Sequence, residues 1–240
     1  RSVPPIPGLF FDATLLLPAD LADSVLRSCM TSFFAADDAD IPEPAAAEIN
    51  QVMLFGRAGR DAFPPFLNAL LEATSELLGR HRELPRETHA MLFPEAYEDE
   101  REDVGPRARQ AIVNLYRPGE GIRPHVDLLG RFGDGIVGVS LGGGATMRFA
   151  RDESGRASPS EGGRHAAERG GGPYGLWLPP RSVLVLTGES RYEWTHGIES
   201  RSRDKVEDDA GGDGWRWHER GVRVSVTFRW LLPGAEMVGR

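Results

Sequence analysis

The sequence has 240 residues, 40% of them hydrophobic and 27% charged, which is ordinary for a globular protein, and no apolar run is long enough to cross a bilayer. The net charge of −8 is concentrated in residues 1–105, which hold 19 acidic and 8 basic side chains, so the composition argues against a nonspecific nucleic-acid binder but allows a local basic cleft further on. The single cysteine, Cys29, excludes an internal disulfide and favours a reducing compartment.

Two helices and one strand are predicted in the first part of the chain. In residues 18–34, apolar side chains recur at every fourth position, which is typical of one helix face. Residues 64–78 show the same helical period, and Gly79 is a typical helix stop. Between these helices, residues 50–55 (NQVMLF) are predicted to form a short strand ending at Gly56.

The remainder of the chain is predicted to be mostly β-structure. Residues 95–107 are highly charged and are predicted to form a solvated loop. Residues 151–173 and 199–214 have few large apolar residues and are predicted to be mobile loops between strands. Short β-branched or aromatic segments bounded by Gly or Pro indicate a barrel or sandwich of strands. These segments are residues 111–116, 135–141, 146–150, 176–178, 182–187 and 222–232.

One group of residues has the composition of a metal site. His125 and Asp127 are two positions apart, so in an extended segment both side chains point to the same side. His196 follows the predicted strand 182–187 and could add a second imidazole. Two histidines and one carboxylate form the facial triad of non-haem Fe(II) oxygenases, whose open positions accept a cosubstrate and dioxygen. A bare His-x-Asp is also common by chance, and a structural or incidental role is assigned to His81, His89, His165 and His218.

The last predicted strand carries polar side chains on one face. Residues 223–229 (RVSVTFR) alternate so that Arg223, Ser225, Thr227 and Arg229 share a face, while the intervening apolar residues take the other. A buried guanidinium needs a partner, and arginine binds carboxylates in a bidentate manner, so an anionic ligand is one explanation. A solvated arginine face is the equally weighted alternative.

Taken together, these motifs resemble the AlkB family of Fe(II)/2-oxoglutarate-dependent dioxygenases, and they occur in the family's order. The resemblance covers about residues 111–232 and is closest to the eukaryotic branch that includes a tRNA wobble-uridine hydroxylase. Ser225 stands where the family usually has asparagine, and its shorter side chain implies that a cosubstrate contact from that position is lost or mediated by water. The matching segments are Asn114-Leu115-Tyr116, His125-Val126-Asp127, Gly188-Glu189-Ser190-Arg191 with His196-Gly197-Ile198, and Arg223-x-Ser225-x-Thr227-x-Arg229.

The resemblance implies a mainly β fold with flanking helices (α+β). A double-stranded β-helix (jelly-roll) core would occupy residues 106–240, and residues 1–105 would form an extension with helices and a candidate nucleotide-recognition lid, within one structural unit. Fe(II) would be bound by His125, Asp127 and His196, with dioxygen and the cosubstrate 2-oxoglutarate completing the reaction. Arg223 would pair with the distal carboxylate of 2-oxoglutarate, and Arg229 would lie near Asp127. The predicted cosubstrate contacts are Asn114, Tyr116, Arg223, Ser225, Thr227 and Arg229.

The implied reaction is oxidation of a modified base in DNA or RNA, either as demethylation or as stable hydroxylation. The implied protein is a monomer of the cytoplasm or nucleus, with nucleic acid as its partner and no membrane association. The candidate substrate contacts are Phe55, Tyr97 and Arg191, although Phe55 is more readily explained as a core residue. The arginines of residues 151–173 could follow phosphates, or that segment could be a solvated insertion.

Two other functions are compatible with parts of the sequence. The same chemistry could act on a protein substrate, which the acidic first half fits somewhat better. Alternatively, the jelly roll could be a catalytically silent binding module. The intact His-Asp-His set and both arginines of the last strand argue against the silent module.

Overall fold

Two antiparallel β-sheets lie against each other in the computed structural model, as the predicted jelly-roll core requires. The structure describes residues 3–34, 50–57, 63–94, 108–152, 173–207 and 214–235. The large sheet has six strands in the order β1-β8-β5-β12-β3-β2, and the small sheet has four in the order β4-β9-β6-β7. The mainly β fold with flanking helices is therefore confirmed.

The strand bounds follow from the hydrogen-bonded registers of the two sheets. In the large sheet they are β1 Leu9–Leu16, β2 Gln51–Arg57, β3 Ala108–Tyr116, β5 Phe132–Gly142, β8 Ser182–Leu186 and β12 Arg223–Leu231. In the small sheet they are β4 Ile122–His125, β6 Ala145–Arg151, β7 Tyr174–Leu178 and β9 Trp194–Ile198. A separate hairpin consists of β10 Arg203–Glu207 and β11 Trp215–Glu219.

Helices cover the outer face of the large sheet. Helix α1 is Ala19–Phe33 and α2 is Pro65–Gly79, which confirms both helical predictions to within a residue or two. Two shorter helices, α3 (Arg86–Leu92) and α4 (Gly188–Tyr192), were not predicted. The helices bury one face against the sheet because apolar side chains recur with the helical period, which removes them from water together.

Strand β12 separates the outer core from the space between the sheets. Val224, Val226 and Phe228 pack with α1 and α2 in the outer core. The alternating partners Arg223 and Arg229 face the opposite way, into the space between the sheets. The predicted alternation is confirmed, and the alternative of a solvated arginine face is wrong because both guanidinium groups are buried.

Strand β10 corrects part of the loop prediction for residues 199–214. Four of its five residues are charged, and among the described residues it pairs only with β11, so it lacks the apolar run that marks a core strand. The predicted loop over residues 95–107 and most of residues 151–173 lie outside the described residues. Strands β1 and β2 join the large sheet although they precede residue 106, and the proposed division at residues 105/106 stays a prediction.

Candidate active site

A cavity of about 410 Å³ lies between the two sheets. Its walls come from β2, β3, β5, β8 and β12 of the large sheet and from all four strands of the small sheet. His125, Asp127 and His196 are at one part of this wall, and Arg223 and Arg229 are in the same lining. The fold therefore brings together, around one space, residues that are far apart in the sequence.

Strand pairing places the three candidate metal ligands next to one another. His125 ends β4 and is the register partner of His196 on β9, with ring centroids 4.6 Å apart. Asp127 follows β4 by two residues. One ligand atom from each of the three side chains lies within 4.8 Å of the others, which is close enough for a single metal ion. The sequence spacing explains the approach of His125 and Asp127, whereas the approach of His196 depends on the sheet.

The electrostatics of Asp127 and His196 suit metal ligation. Burial acts to raise the pKa of Asp127, but the neighbouring His125 and the positive charge of Arg229 outweigh burial and hold that pKa well below its usual range. Burial lowers the pKa of His196 to about 4, so its imidazole is neutral at neutral pH. A charged carboxylate and a neutral imidazole are the protonation states in which these groups bind metals.

Arg191 holds the segment that carries Asp127. Its guanidinium donates to the backbone oxygens of Asp127 at 3.0 Å and of Phe132 at 3.3 Å, from beneath the loop between β4 and β5. The side chain is 1% exposed and is absent from the cavity lining. This burial corrects the predicted substrate contact at Arg191, because the side chain cannot reach a substrate from this position. Its role as a loop support depends on tertiary position, which the sequence motif does not reveal.

Arg223 is a buried cation with an unused donor. It is 4% exposed, and its Nε and Nη2 atoms donate to the hydroxyl of Ser140 at 3.2 and 2.8 Å. Within the described residues, its Nη1 atom is buried without a hydrogen-bond partner. A buried guanidinium with a free N–H is costly unless a ligand pairs with it, so the arrangement suits a carboxylate in the cavity. Ser140 was missed by the sequence predictions because serine in a buried strand has no distinctive pattern.

The other predicted cosubstrate contacts lie in the same lining. Ser225 pairs in register with Asn114, and Arg223 pairs with Tyr116, so β12 and β3 present these side chains side by side. Asn114 also accepts a hydrogen bond from Gln51 on β2 at 2.7 Å. The structure brings all six predicted residues to one cavity, while their role as cosubstrate contacts stays a prediction. They are Asn114, Tyr116, Arg223, Ser225, Thr227 and Arg229.

Exposed apolar side chains form a rim beside the cavity. Met53 on β2 and Leu128 in the loop after Asp127 line the cavity and are more than half exposed. Phe55 is 50% exposed and its ring lies 5.7 Å from the guanidinium of Arg131, so the interpretation of Phe55 as a core residue is wrong. Leu128 was missed by the sequence predictions, and Tyr97 lies outside the described residues.

The remaining histidines have local partners. His81 donates to the Asp12 carboxylate at 2.9 Å, and His89 donates to the backbone oxygen of Ser75 at 2.9 Å. The His218 ring lies 4.9 Å from the Trp177 ring. These contacts agree with the structural role assigned to them, and His165 lies outside the described residues.

Comparison with known proteins identifies related sequences. The family model described as the 2OG-Fe(II) oxygenase superfamily matches residues 50–229. The "tRNA (carboxymethyluridine(34)-5-O)-methyltransferase ALKBH8" of Macaca fascicularis is 38% identical over 130 residues, which are 50% of this chain and 17% of that protein. The "Alkylated DNA repair protein ALKBH8 homolog" of Arabidopsis thaliana is 40% identical over 105 residues, or 41% of this chain and 29% of that protein.

A fungal relative aligns over a longer part of its own sequence. The "N6-methyladenosine RNA demethylase ALKBH" of Cryphonectria parasitica is 29% identical over 163 residues, covering 62% of this chain and 66% of that protein. The chain thus spans less than a third of the two ALKBH8 relatives and about two thirds of the fungal one. These relatives confirm the resemblance to the AlkB family. Separately, no helix in the described residues is long and apolar enough to cross a membrane.

Proposed function

The chain belongs to the 2OG-Fe(II) oxygenase superfamily, and from this membership we propose that it is an Fe(II)/2-oxoglutarate-dependent dioxygenase that oxidises a modified base in DNA or RNA. The observation that carries the proposal is the position of His125, Asp127 and His196 in the same cavity as Arg223. A site for a divalent metal and a site for an organic anion would therefore share one cavity. A keto acid that chelates the metal must reach both sites at once.

His125, Asp127 and His196 would hold Fe(II). Their ligand atoms fit a single ion, and the buried Nδ1 atom of His196 has no hydrogen-bond partner among the described residues. Three protein ligands leave other coordination positions open for cosubstrate and dioxygen. When bound, the iron with 2-oxoglutarate supplies the oxidising chemistry, in which one oxygen atom enters succinate and the other enters the substrate. Arg191 and Arg229 would keep Asp127 in position and charged.

Arg223 would bind the distal carboxylate of 2-oxoglutarate. Its unused Nη1 donor and its burial support this role, and Ser140 fixes the direction of the guanidinium. Asn114 and Tyr116 offer polar groups along the same wall for the cosubstrate. The shorter Ser225 leaves more space than asparagine would, so a contact from that position would pass through water.

The apolar rim would hold the substrate base. A base that reacts at an enclosed site must leave its stack, and aromatic or apolar side chains commonly receive it. Met53, Phe55, Leu128 and Leu129 are all at least half exposed, and two of them line the cavity. Oxidation of an N-methyl group inserts oxygen into a C–H bond, and the resulting hemiaminal then releases formaldehyde, whereas oxidation of a ring or side-chain carbon leaves a stable alcohol.

The names of the relatives support nucleic acid as the substrate class. They describe a tRNA-modifying enzyme, a repair protein for alkylated DNA and an RNA demethylase. Neither a protein substrate nor a silent binding module is favoured by these relatives. A protein with such a substrate would act in the cytoplasm or nucleus, and we propose that it does so as a monomer.

Succinate formation tests the proposed chemistry. The protein would be incubated with Fe(II), ascorbate and 2-oxoglutarate, with and without a mixture of methylated oligonucleotides. We expect succinate to form only with Fe(II), and His125→Ala to abolish it. His81→Ala is the matched control, because His81 contacts Asp12 outside the cavity, and it should leave succinate formation unchanged. Equal succinate formation by wild type and His125→Ala would show that the metal assignment is wrong.

A further inference from the structure

A second groove, of about 420 Å³, lies on the other side of the small sheet. It is bounded by β6 and β7 on one side and by the β10–β11 hairpin on the other. Met147 faces the active-site cavity, whereas its neighbours Thr146 and Arg148 face this groove, as the alternation of a strand requires. The groove is thus separate from the proposed catalytic site, and the proposed chemistry makes no use of it.

Aromatic side chains line the groove and continue along the hairpin. Tyr174, Trp177 and Trp215 contribute to its walls. Trp215 and Trp217 are two positions apart on β11 and are 54% and 53% exposed. Residues i and i+2 of a strand share a face and lie about 6.6 Å apart, so the two indoles form a row on one face of the hairpin. Two exposed tryptophans side by side are a marked apolar feature for a free surface.

Basic side chains accompany these rings. The Lys205 ammonium lies 4.8 Å from the Trp215 ring centre, and the Arg203 guanidinium lies 4.5 Å from that of Trp217. Arg148 and Arg201 line the groove, where each also pairs with Glu199. The carboxylates on the exposed hairpin face are Glu207 and Glu219.

The groove and the tryptophan row beside it are held in place by buried contacts. The Trp177 ring lies against His218, and it passes so close to Gly144 that a Cβ there would be 2.5 Å from the indole. At the base of the hairpin, Asp204 is fully buried and accepts a hydrogen bond from Arg220 at 2.6 Å. A surface that is already ordered loses little conformational entropy when a ligand binds.

We propose that this groove and the tryptophan row of the hairpin bind single-stranded nucleic acid. Successive bases would stack on Trp215 and Trp217, and the phosphates would contact Lys205 and Arg203. A single nucleic-acid strand binds to stacking rings that have cations beside them. Both are present on this hairpin, although the net charge of the whole chain is −8. The inference rests on the proposed function in one respect: it supplies a second contact, away from the catalytic cavity, for the same class of substrate.

Binding of a fluorescein-labelled single-stranded oligonucleotide of mixed sequence, measured by anisotropy at low salt, tests the inference. We expect Trp215→Ala, Trp217→Ala and Lys205→Glu each to raise the Kd, by about tenfold for each tryptophan. Arg82→Glu is the matched charge control, and Val222→Ala is the control for an exposed apolar residue; both should bind like wild type. Circular dichroism would verify that each variant is folded.

Chemical protection of Lys205 gives an independent readout. Lys205 is the only lysine in the sequence, so reductive methylation followed by peptide mass spectrometry reports on this position. We expect the oligonucleotide to slow its methylation severalfold, and to slow it less in Trp215→Ala. If wild type does not bind the oligonucleotide, or if the hairpin variants bind it equally well and Lys205 is not protected, the inference is wrong.

The outcomes separate this inference from the proposed function. Protection of Lys205 without oxidation of any nucleoside would support the binding surface and contradict the proposed reaction. Oxidation of a nucleoside with no effect of the hairpin variants on binding would support the reaction and contradict the surface. Succinate formation in the absence of nucleic acid should be the same in the hairpin variants and wild type, because the groove does not adjoin the metal ligands.

Discussion

The guanidinium of Arg229 lies 2.6 Å from the carboxylate of Asp127, and both side chains are buried beside the cavity. Arg229 is itself fixed by Gln110, which accepts a hydrogen bond from its Nε atom at 2.8 Å, and by the ring of Phe132 at 3.6 Å. The pair keeps a proposed metal ligand negatively charged before any metal arrives. It also means that Asp127 contributes to folding as well as to the proposed chemistry.

Replacing Arg229 by methionine should destabilise the metal-free protein. The substitution leaves the buried Asp127 without its partner, and breaking a buried pair in this way costs about 3 kcal/mol or more. The double variant Arg229→Met/Asp127→Asn should recover part of that loss, because it removes the unpaired charge. Urea unfolding of both variants measures the free energy.

The control for this prediction is Arg151→Met, which removes partly exposed ion pairs to Glu189 and Glu193 and should cost less than about 1 kcal/mol. A loss below about 1 kcal/mol for Arg229→Met, equal to that of the control, would show that the Arg229–Asp127 pair does not stabilise the fold.

Replacing Arg223 by lysine should weaken the cosubstrate interaction. Lysine lacks the planar pair of donors that grips a carboxylate, and a charge-assisted contact contributes about 1.5–3 kcal/mol, so the KM for 2-oxoglutarate should rise roughly 10- to 100-fold. Succinate formation at increasing 2-oxoglutarate concentrations measures the change. Arg123→Lys, an exposed position on β4, is the control. An unchanged KM in Arg223→Lys would contradict its proposed role.

Replacing Phe55 by alanine should affect the nucleic-acid substrate and leave the cosubstrate unaffected. The ring is half exposed beside the cavity and belongs to neither buried core cluster, so the fold and the KM for 2-oxoglutarate should be unchanged. We expect the KM for a methylated oligonucleotide to rise about tenfold, as for the loss of one stacked base. Equal KM values for the oligonucleotide in Phe55→Ala and wild type would exclude Phe55 from the substrate site.

Acid should selectively weaken the base of the hairpin. Burial acts to raise the pKa of Asp204, but the hydrogen bond and charge of Arg220 outweigh it and lower that pKa below its ordinary value. A group whose pKa is lowered by folding stabilises the protein above the unfolded-state pKa, which is about 3.9, and loses that contribution as the pH falls further.

Asp204→Asn should therefore be less stable than wild type at neutral pH, and the difference between them should shrink as the pH falls below about 4. Urea unfolding at a series of pH values tests this relationship. A difference that stays constant down to pH values well below about 4 would show that Asp204 does not gain stability from its charge in the folded state.

The parts of the fold that the sequence predicts are those with strong periodicity. Helices α1 and α2 and strand β12 each repeat apolar residues with a single clear period, so burial determines both their type and their orientation. Strand β10 was missed because its inward residue Asp204 is charged and is paired with Arg201 and with Arg220, which lies between β11 and β12. A local sequence pattern does not indicate a partner that lies elsewhere in the chain.

The sequence likewise predicts some features of the candidate site and not others. The spacing of His125 and Asp127 predicts their shared direction, but only the pairing of β4 with β9 places His196 beside them. The family motif identified Arg191 as notable without revealing that it supports the backbone of the loop that carries Asp127. No sequence pattern indicated that Leu128 lies on the rim of the cavity, because its exposure depends on how the loop projects from the two sheets.

Nucleoside mass spectrometry tests the central claim most directly. Wild-type protein would be incubated with Fe(II), ascorbate, 2-oxoglutarate and separate pools of methylated DNA, methylated RNA and bulk tRNA, with omission of 2-oxoglutarate as the control. We expect one modified nucleoside either to lose its methyl group or to gain one oxygen atom, and only when 2-oxoglutarate is present. Formation of succinate with no change in any nucleoside would contradict the claim that this protein oxidises a base in nucleic acid.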